Sequence, residues 1–395
     1  MFQLDLAPAD PILGLTETYK ADTHPDKINL GVGVYQDATG KTPILKAVTQ
    51  AEARLLETET GKSYLPIPGV AELATHTQEL LFGAGHTIIK EGRAKTAQTP
   101  GGTGALRVAA DFLLRAAPQA TVWISNPSWA NHQAIFEAAG HRVEDYRYYD
   151  KVSQGLDGEG LMADLERVSE GDVLIIHGCC HNPSGIDLDQ TAWEAIAAQA
   201  RAKNLICLVD FAYQGFDEGL EEDRAGLHVL LNAGLAVLIT SSYSKNFSLY
   251  SERIGAITIV EETADDAIKA FSHIQAAIRA IYSSPPAHGG KIVATILDDT
   301  SMRALWIREL ADMRARIKEM RQAFAQGMAA RQQAIDFDFI NHQKGMFSFS
   351  GLTQEQVLKL RADNHIYIVG SGRINIAGIT PTNVDPLCDA IAKVL

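Results

Sequence analysis

One lysine, Lys245, lies in a run of hydroxyl residues that follows an apolar segment. The apolar segment is Ala236–Ile239, and the run is Ser241-Ser242-Tyr243-Ser244-Lys245-Asn246. Burial at the end of a strand would lower the pKa of the amine and make it nucleophilic. Arg253 follows and could hold a phosphate through two parallel hydrogen bonds. A solvated loop lysine is the alternative, and only the neighbouring motifs favour a reactive amine.

A glycine-rich segment, Pro100-Gly101-Gly102-Thr103-Gly104, comes directly before a predicted helix that begins near Ala105. Glycines let backbone N–H groups approach an anion, and a helix N-terminus adds about half a positive charge. Thr103 could add a hydroxyl donor. The spacing matches neither the P-loop nor the dinucleotide motif. The segment therefore predicts either an anion site or a plain turn that caps the helix.

Two other polar side chains follow apolar runs of the same kind. Asp210 follows Leu205–Val209, and an acid inside a site can hold a ring nitrogen protonated. Asn182 follows Val173–His177 and offers a neutral hydrogen-bond donor. Either residue could instead only begin a turn.

The elements that must position these side chains alternate between short apolar runs and amphipathic helices. The runs, which are typical of strands buried on both faces, are Thr121–Ile124, Val173–Ile176, Leu205–Val209 and Ala236–Ile239. Helical spacing separates them, as in Leu106–Leu114 and Trp193–Ala200. We predict an α/β fold with a mainly parallel sheet covered by helices. Ligands of such sheets bind beyond the carboxyl ends of the strands, where Lys245 and Asp210 are expected.

A long helix separates this region from the end of the chain. Its apolar positions, three and four residues apart, are Trp306, Leu310, Met313, Ile317, Met320 and Phe324. The run barely reaches three heptads, so a packing helix is favoured over a coiled coil. A mixed region follows, with apolar residues at Met346–Phe349, a helix near Gln354–Asp363 and a strand at Tyr367–Val369.

The length and composition limit the classes of protein that the chain can be. Because 395 residues exceed the roughly 250–300 that one core supports, we predict a large domain at 43–312. Residues 1–42 and 313–395 would form a smaller α+β domain. The net charge of −13 argues against nucleic-acid binding, and no apolar stretch approaches the ~18 residues of a membrane helix.

The cysteines and the first residues indicate a cytoplasmic protein. Met1–Asp10 lacks the features of a secretory signal. The adjacent Cys179 and Cys180 lie in an apolar context, which favours buried free thiols over disulfides. The spacing of the four cysteines is not that of a zinc site, so we expect no metal.

The four motifs together match one cofactor. The phosphate, aldehyde carbon, pyridine nitrogen and ring oxygen of pyridoxal phosphate would each meet one of them. A P-loop NTPase or a dehydrogenase would not require Lys245. A non-enzymatic α/β protein that binds sugars or nucleotides would leave this lysine unexplained.

The sequence resembles the aspartate aminotransferase family, the class I branch of fold-type I pyridoxal-phosphate enzymes. The resemblance extends from Asp10-Pro11-Ile12-Leu13 to the C-terminus. It is carried by the ordered blocks Gln98–Arg107, Ser125–Trp129, Cys179–Pro183, Asp210–Phe216, Ser241–Phe247 and Ser371–Arg373.

This resemblance implies a role for each cofactor-binding residue. Lys245 would form the Schiff base and then move a proton between Cα and the cofactor carbon. Asp210 would keep the pyridine nitrogen protonated, Tyr213 and Asn182 would bind the ring oxygen, and Trp129 would stack on the ring. The phosphate would be held by Gly102, Thr103, Ser242, Ser244, Arg253 and, across a homodimer interface, Tyr64 of the partner subunit.

The resemblance also implies the substrates, an amino acid and a 2-oxo acid that react in a ping-pong cycle. Arg373 would bind the α-carboxylate, with Gly33, Trp129 and Asn182 nearby. Arg279 would cross the dimer interface to bind the side-chain carboxylate of aspartate, and 2-oxoglutarate would accept the amino group.

Some positions near Arg279 differ from those of aspartate-specific members. Ser284, Ile281 and Ser63 stand where asparagine is common. An aromatic or dual-specificity aminotransferase is therefore the alternative. A lyase or decarboxylase on the same fold is the alternative from another reaction class.

Overall fold

The computed structural model describes residues 13–331 and 335–395. Two sequence-based predictions therefore fall on residues outside the described ranges. One is the absence of a secretory signal in Met1–Asp10, and the other is the family resemblance of Asp10-Pro11-Ile12-Leu13, of which only Leu13 is described. The chain divides into two compact units. The first contains Pro43–Asn182 and Ile186–Arg314, and the second contains the chain up to Thr42, Pro183–Gly185 and Ala315–Leu395. The predicted large domain, 43–312, differs from the first unit at 183–185 and at 313–314.

The secondary structure of the described residues alternates as the sequence indicates. The strands are β1 (Ile28–Asn29), β2 (Ala94–Pro100), β3 (Val122–Asn126), β4 (Val143–Arg147), β5 (Tyr149–Asp150), β6 (Gly155–Leu156), β7 (Val173–His177), β8 (Ile206–Phe211), β9 (Val237–Ser242), β10 (Ile254–Val260), β11 (Phe347–Phe349), β12 (Ile366–Tyr367) and β13 (Arg373–Asn375). The α-helices are α1 (Leu13–Ala21), α2 (Lys46–Thr58), α3 (Ala71–Phe82), α4 (Thr87–Lys90), α5 (Gly101–Ala116), α6 (Ala130–Ala139), α7 (Gly158–Leu165), α8 (Gln190–Ala202), α9 (Ala225–Asn232), α10 (Ala264–Ile281), α11 (Ala287–Asp298), α12 (Thr300–Ala329), α13 (Gln354–Asn364) and α14 (Val384–Val394).

The first unit is built on a seven-stranded sheet with the order β2-β10-β9-β8-β7-β3-β4. Strands β9, β8, β7, β3 and β4 run parallel to one another, and β10 is antiparallel to both of its neighbours. The predicted α/β fold with a mainly parallel sheet covered by helices is confirmed. The four strands predicted for this sheet are present as β3, β7, β8 and β9, whereas the strand predicted at Tyr367–Val369 is β12, which already ends at Tyr367.

The sheet is held by apolar side chains from the strands and from the helices that cover them. In α5, Leu106, Ala109 and Leu113 lie in one buried cluster with Ile175 and Leu208 of the sheet. Helix α10 adds Ile274 and Ile278 to the same cluster. Burial of such side chains removes apolar surface from water, which stabilises this packing. The helix spacing read from the sequence therefore corresponds to a buried face.

The second unit contains two small sheets and helices. Strand β1 pairs in parallel with β12, and β11 pairs antiparallel with β13. Helix α13 begins with a capping box in which Thr353 and Gln356 satisfy each other's backbone N–H groups. The predicted long helix is α12, whose apolar positions are buried, including Trp306 in the first unit and Phe324 in the second. None of the described helices is long and apolar enough to span a bilayer.

Candidate active site

A row of polar side chains crosses the sheet near the carboxyl ends of three parallel strands. Asp210, the fifth residue of β8, is in register with His177 of β7 and Thr240 of β9. Asp210 lies inside β8 and not after it as predicted, because the strand continues to Phe211. The carboxylate is therefore held by the hydrogen-bonded backbone of a central strand, which fixes its direction.

The carboxylate of Asp210 is buried and accepts hydrogen bonds on both oxygens. Thr240 Oγ1 donates to Oδ1 at 2.8 Å, and Nε2 of His132 lies 3.1 Å from Oδ2. An ionised carboxylate only accepts, so Nε2 of His132 carries the proton. Nδ1 of the same ring lies 2.9 Å from Ser128 Oγ. These contacts hold the ring of His132 on both sides.

Charge and hydrogen bonding keep Asp210 ionised although it is buried. Burial raises the pKa of Asp210, but the hydrogen bond from His132, the nearby His132 and His177 rings and the Thr240 hydroxyl outweigh it. The net pKa lies below the usual value for aspartate. Burial also lowers the pKa of His181 to about 3, so that this ring is neutral. A fixed negative charge in a buried site suits a bound cationic ring.

Lys245 follows β9 and is half-buried. Burial lowers the pKa of its amine to about 8, even though the charge of Asp210 acts in the opposite direction. The ε-nitrogen lies 4.6 Å from the centroid of the Tyr213 ring. A lysine with this pKa has a sizeable neutral fraction near neutral pH, which a nucleophilic amine requires.

The anion end of the site is the N-terminus of α5. The helix begins at Gly101 rather than near the predicted Ala105, so that Gly102, Thr103 and Gly104 lie in its first turn. No side chain caps this end within the described residues, so its first backbone N–H groups remain available. Gly101 has φ +75°, and a Cβ there would lie 2.5 Å from Nη2 of Arg253. A side chain at this position would therefore displace the guanidinium.

The groups that surround this helix end fit a phosphate. Arg253 Nη1 donates to Ser244 Oγ at 3.3 Å, and the Ser244 backbone N–H donates to Ser242 Oγ at 3.3 Å. A Cβ on Gly102 would come within 3.1 Å of Cβ of Ser242, so a side chain here would crowd the space beside the helix end. A guanidinium, two hydroxyls and a helix N-terminus form the donor set that a phosphate monoester needs. The residues present therefore fit pyridoxal phosphate.

The remaining predicted residues of the first unit differ in burial. Asn182 and Tyr213 are buried, and the indole of Trp129 stands edge-on to the His132 ring with centroids 5.4 Å apart. Tyr64 is 97% exposed. Arg279 lies in the last turn of α10, also exposed, and its guanidinium donates to Ser283 Oγ. Tyr64 and Arg279 are therefore free to contact another molecule.

Two predicted substrate residues lie in the second unit. Arg373 of β13 is buried, donates to the Gly31 carbonyl at 2.7 Å and places its guanidinium carbon 4.2 Å from the centroid of Phe347. A Cβ on Gly33 would meet the same ring at 3.0 Å. The Phe347 ring and the Gly31 carbonyl restrict Arg373 to one orientation.

Two clusters have the side chains of a metal site, although the sequence analysis expected no metal. They are His132, His177 and Asp210, and Cys179, Cys180 and Asp223. Asp210 is already bonded to His132 and Thr240. Asp223 accepts four backbone N–H bonds, and burial raises the pKa of Cys180 to about 12. We assign a metal to neither cluster.

Sequence reasoning missed the residues that support Asp210. His132 lies in the first turn of α6, and Thr240 ends the apolar run before Lys245. Neither belongs to a spacing pattern, and a single histidine on a helix gives no signal by itself. His177 could have been noticed, because it ends a strand whose other residues are apolar.

Known proteins resemble this chain over nearly its whole length. The family described as "Aminotransferase class I and II" matches residues 25–391. The chain is 54% identical to "Aspartate aminotransferase" of Salmonella typhi over 396 aligned residues, which cover 100% of both chains. It is 44% identical to "Aromatic-amino-acid aminotransferase" of Pseudomonas aeruginosa, covering 98% of this chain and 97% of that one.

A solved structure has the same fold as this chain. The aromatic-amino-acid aminotransferase from Burkholderia pseudomallei superposes with a TM-score of 0.97 at 46% identity, covering 99% of this chain and 98% of that one. That structure is described as covalently bound to pyridoxal phosphate.

Proposed function

Because the chain belongs to the class I and II aminotransferase family, we propose that it moves the amino group of L-aspartate to 2-oxoglutarate, giving oxaloacetate and L-glutamate. The cofactor is pyridoxal phosphate. The observation that carries the proposal is the half-buried Lys245, whose pKa is about 8, in the same unit as the ionised Asp210. The 54% identity to an aspartate aminotransferase over the whole chain supports aspartate as the donor.

The residues of the first unit have distinct tasks in this reaction. Pyridoxal phosphate would supply an aldehyde for the amino group and a protonated ring that accepts electrons from Cα. Asp210 holds the proton on the ring nitrogen, and His132 holds Asp210. The amine of Lys245 takes the proton from Cα and returns it at the neighbouring carbon. Ser242, Ser244, Arg253, Gly102 and Thr103 anchor the phosphate, while Tyr213, Asn182 and Trp129 orient the ring.

The α-carboxylate of the substrate would be bound by Arg373, beside Gly33. A planar guanidinium forms two parallel hydrogen bonds to a carboxylate, and Arg373 is held in one orientation by Gly31 and Phe347. A guanidinium held in one orientation can bind the carboxylate in one orientation, which is what a substrate-positioning residue must do.

Specificity for aspartate depends on Arg279 in this proposal. Its guanidinium is exposed, donates to Ser283 and pairs with no carboxylate among the described residues. It can therefore bind the carboxylate of a substrate. The 44% identity to an aromatic-amino-acid aminotransferase makes an aromatic or dual-specificity enzyme the second candidate. The comparison of kcat/KM for aspartate and phenylalanine, each with 2-oxoglutarate, tests the proposal. Aspartate should be strongly preferred; comparable values would indicate dual specificity.

Arg279→Ala is expected to lower kcat/KM for aspartate by about a hundredfold or more, because the charge pair with the side-chain carboxylate of the substrate is lost. The value for phenylalanine should change by less than about threefold. Steady-state kinetics on both substrates measure this selectivity. Arg303→Ala, which removes an arginine that pairs with Glu79 of the same chain, serves as a control. Equal losses on both substrates would show that Arg279 does not bind the distal carboxylate.

We also propose that the active enzyme is a homodimer with shared sites. Ile44, Leu56 and Tyr64, all large side chains, are 72%, 86% and 97% exposed. A second copy of the chain would cover such residues. Tyr64 and Arg279 of the partner subunit would then reach the phosphate and the substrate, respectively.

Mixing two inactive variants tests whether Arg279 acts across the interface. In a heterodimer of Lys245→Ala and Arg279→Ala chains, one site would carry both lesions and the other site none. An equal mixture refolded together should therefore regain about a quarter of the wild-type activity on aspartate. The separately refolded variants provide the control. Activity no greater than the mean of the two variants would place Arg279 in the site of its own chain.

The cysteines support a cytoplasmic location, which we also propose. Cys179, Cys180, Cys207 and Cys388 are buried free thiols. Free thiols are typical of proteins in reducing compartments. Export of the protein to an oxidising compartment in its source cell, seen by fractionation, would contradict this.

A further inference from the structure

A glutamine in β2, Gln98, has a fully buried side-chain amide that joins two other segments of the first unit. The side chain is 1% exposed. Its Oε1 accepts from the backbone N–H of Val70 at 3.1 Å, and its Nε2 donates to the carbonyl of Pro286 at 2.7 Å. A buried amide with both ends bonded resists displacement, because moving either segment leaves a polar group unsatisfied.

The packing around this amide leaves no space for another arrangement. A Cβ on Gly69 would lie 2.4 Å from Cβ of Gln98, and a Cβ on Gly290 would lie 2.6 Å from its Nε2. Both distances are shorter than any real contact, so glycine backbone lies directly against the side chain. The amide therefore has one position, and the two segments that it bonds have one position relative to β2.

One of these segments continues directly from Arg279. The hydroxyl of Tyr282 donates to the backbone carbonyl of Gln98 at 3.3 Å. The backbone N–H of Ser283 donates to the backbone carbonyl of Ile278, in the last turn of α10, at 3.0 Å. Ser283 is also the residue to which the Arg279 guanidinium donates. Residues 282–286, which we call the arginine turn, are thus attached to Gln98 at Tyr282 and at Pro286.

We propose that Gln98 is a positioning residue for the distal carboxylate of the substrate. It fixes the arginine turn, and the turn fixes the end of α10 from which Arg279 extends. The inference rests on the proposed role of Arg279 in binding that carboxylate. Gln98 itself contacts no substrate in this account and lies three residues before Gly101, the first residue of α5. It therefore links the position of Arg279 to the strand that leads into the phosphate site.

Gln98→Met tests this role, because methionine keeps the length of the side chain and removes both amide hydrogen bonds. We expect the KM for aspartate and the Kd for succinate, a dicarboxylate without an amine, each to rise about tenfold. Alanine, which lacks the distal carboxylate, should keep its kcat/KM within about twofold. Calorimetry with succinate gives a reading that does not depend on turnover.

Gln78→Met is the matched control. Gln78 is a half-buried glutamine of α3 whose Nε2 donates to Ala94 and Thr96 at the other end of β2. It should leave the ratio of aspartate to alanine kcat/KM unchanged. If Gln98 had a purely structural role, Gln98→Met would lower kcat/KM for aspartate and for alanine equally. The ratio would then stay at the wild-type value, which would overturn the proposal.

The same substitution in an Arg279→Ala background separates the inference from the proposed function. There, Gln98→Met should change the aspartate-to-alanine ratio no further, because the residue acts through Arg279. A full additional loss would overturn the positioning role alone. If Arg279→Ala itself leaves the ratio unchanged, both the role of Arg279 and that of Gln98 are wrong.

Tyr282→Phe provides a second variant in case Gln98→Met does not fold. It removes only the bond from the tyrosine hydroxyl to the Gln98 carbonyl. A shift of about two- to threefold in the aspartate-to-alanine ratio is expected, in the same direction and absent in the Arg279→Ala background. An unchanged aspartate-to-alanine ratio would contradict the attachment of the arginine turn to Gln98.

Discussion

Lys245→Ala is expected to lower kcat for amino transfer from aspartate by at least about a thousandfold. The variant lacks the amine that takes up and returns the Cα proton, while the groups that anchor the phosphate remain. The cofactor should therefore still bind, but borohydride reduction should no longer attach it to the chain. Steady-state kinetics and the mass of the reduced protein measure both effects. Wild-type protein treated in the same way should carry the cofactor at Lys245.

The pH dependence of cofactor attachment tests the environment of this lysine. A pKa of about 8 means that about a tenth of the amine is neutral at pH 7, and the neutral form is the nucleophile. The rate at which cofactor-free protein reacts with the aldehyde should rise between pH 6 and 8 and level off above pH 8. Lys269→Ala, which removes an exposed lysine paired with Asp266, serves as the control for loss of a positive charge. A rate that still climbs steeply at pH 10, or Lys245→Ala with a tenth of wild-type activity, would contradict the assignment.

Asp210→Asn is expected to lower kcat by about a thousandfold and to weaken cofactor binding. Asparagine has almost the same shape but no charge, so it cannot hold the proton on the ring nitrogen. The bonds to His132 and Thr240 would also lose their charged acceptor. Kinetics and cofactor titration by fluorescence measure the two effects.

Asp145→Asn is a suitable control for Asp210→Asn. Asp145 lies in β4 of the same sheet, is exposed and accepts a hydrogen bond from Asn126. It should retain near wild-type kinetics. If Asp210→Asn also retains them, the ring nitrogen has another partner, and the row of His177, Asp210 and Thr240 only stabilises the sheet.

The parts of the fold that the sequence predicts are those with continuous burial. Strands β7, β8 and β9 are buried along nearly their whole length, and each begins with an apolar run of three or four residues. Strand β2 was missed as a strand, because Lys95 and Gln98 interrupt its apolar pattern. Strand β4 contains three charged residues and lies at the sheet edge. The positions of β2 and β4 in the sheet depend on pairing with neighbouring strands, and a local sequence pattern does not show this pairing.

The candidate site divides in a similar way. Lys245 and Asp210 stand at the ends of predicted strands, so their position near the carboxyl ends of the parallel strands follows from the topology. His132 and Gln98 act through contacts with residues 78 and 188 positions away along the chain, and no local spacing marks such contacts. The roles of Tyr64 and Arg279 came from the family resemblance alone. Both side chains are exposed in one copy of the chain, where sequence and burial give no reason to select them.

The product released from aspartate alone tests the account most directly. Protein loaded with pyridoxal phosphate should release one oxaloacetate per active site from nitrogen-15 aspartate and then stop. Addition of 2-oxoglutarate should restart release, with the label recovered in glutamate. Continued turnover without an acceptor, with ammonia or carbon dioxide set free, would contradict the account and assign the chain to a lyase or decarboxylase reaction.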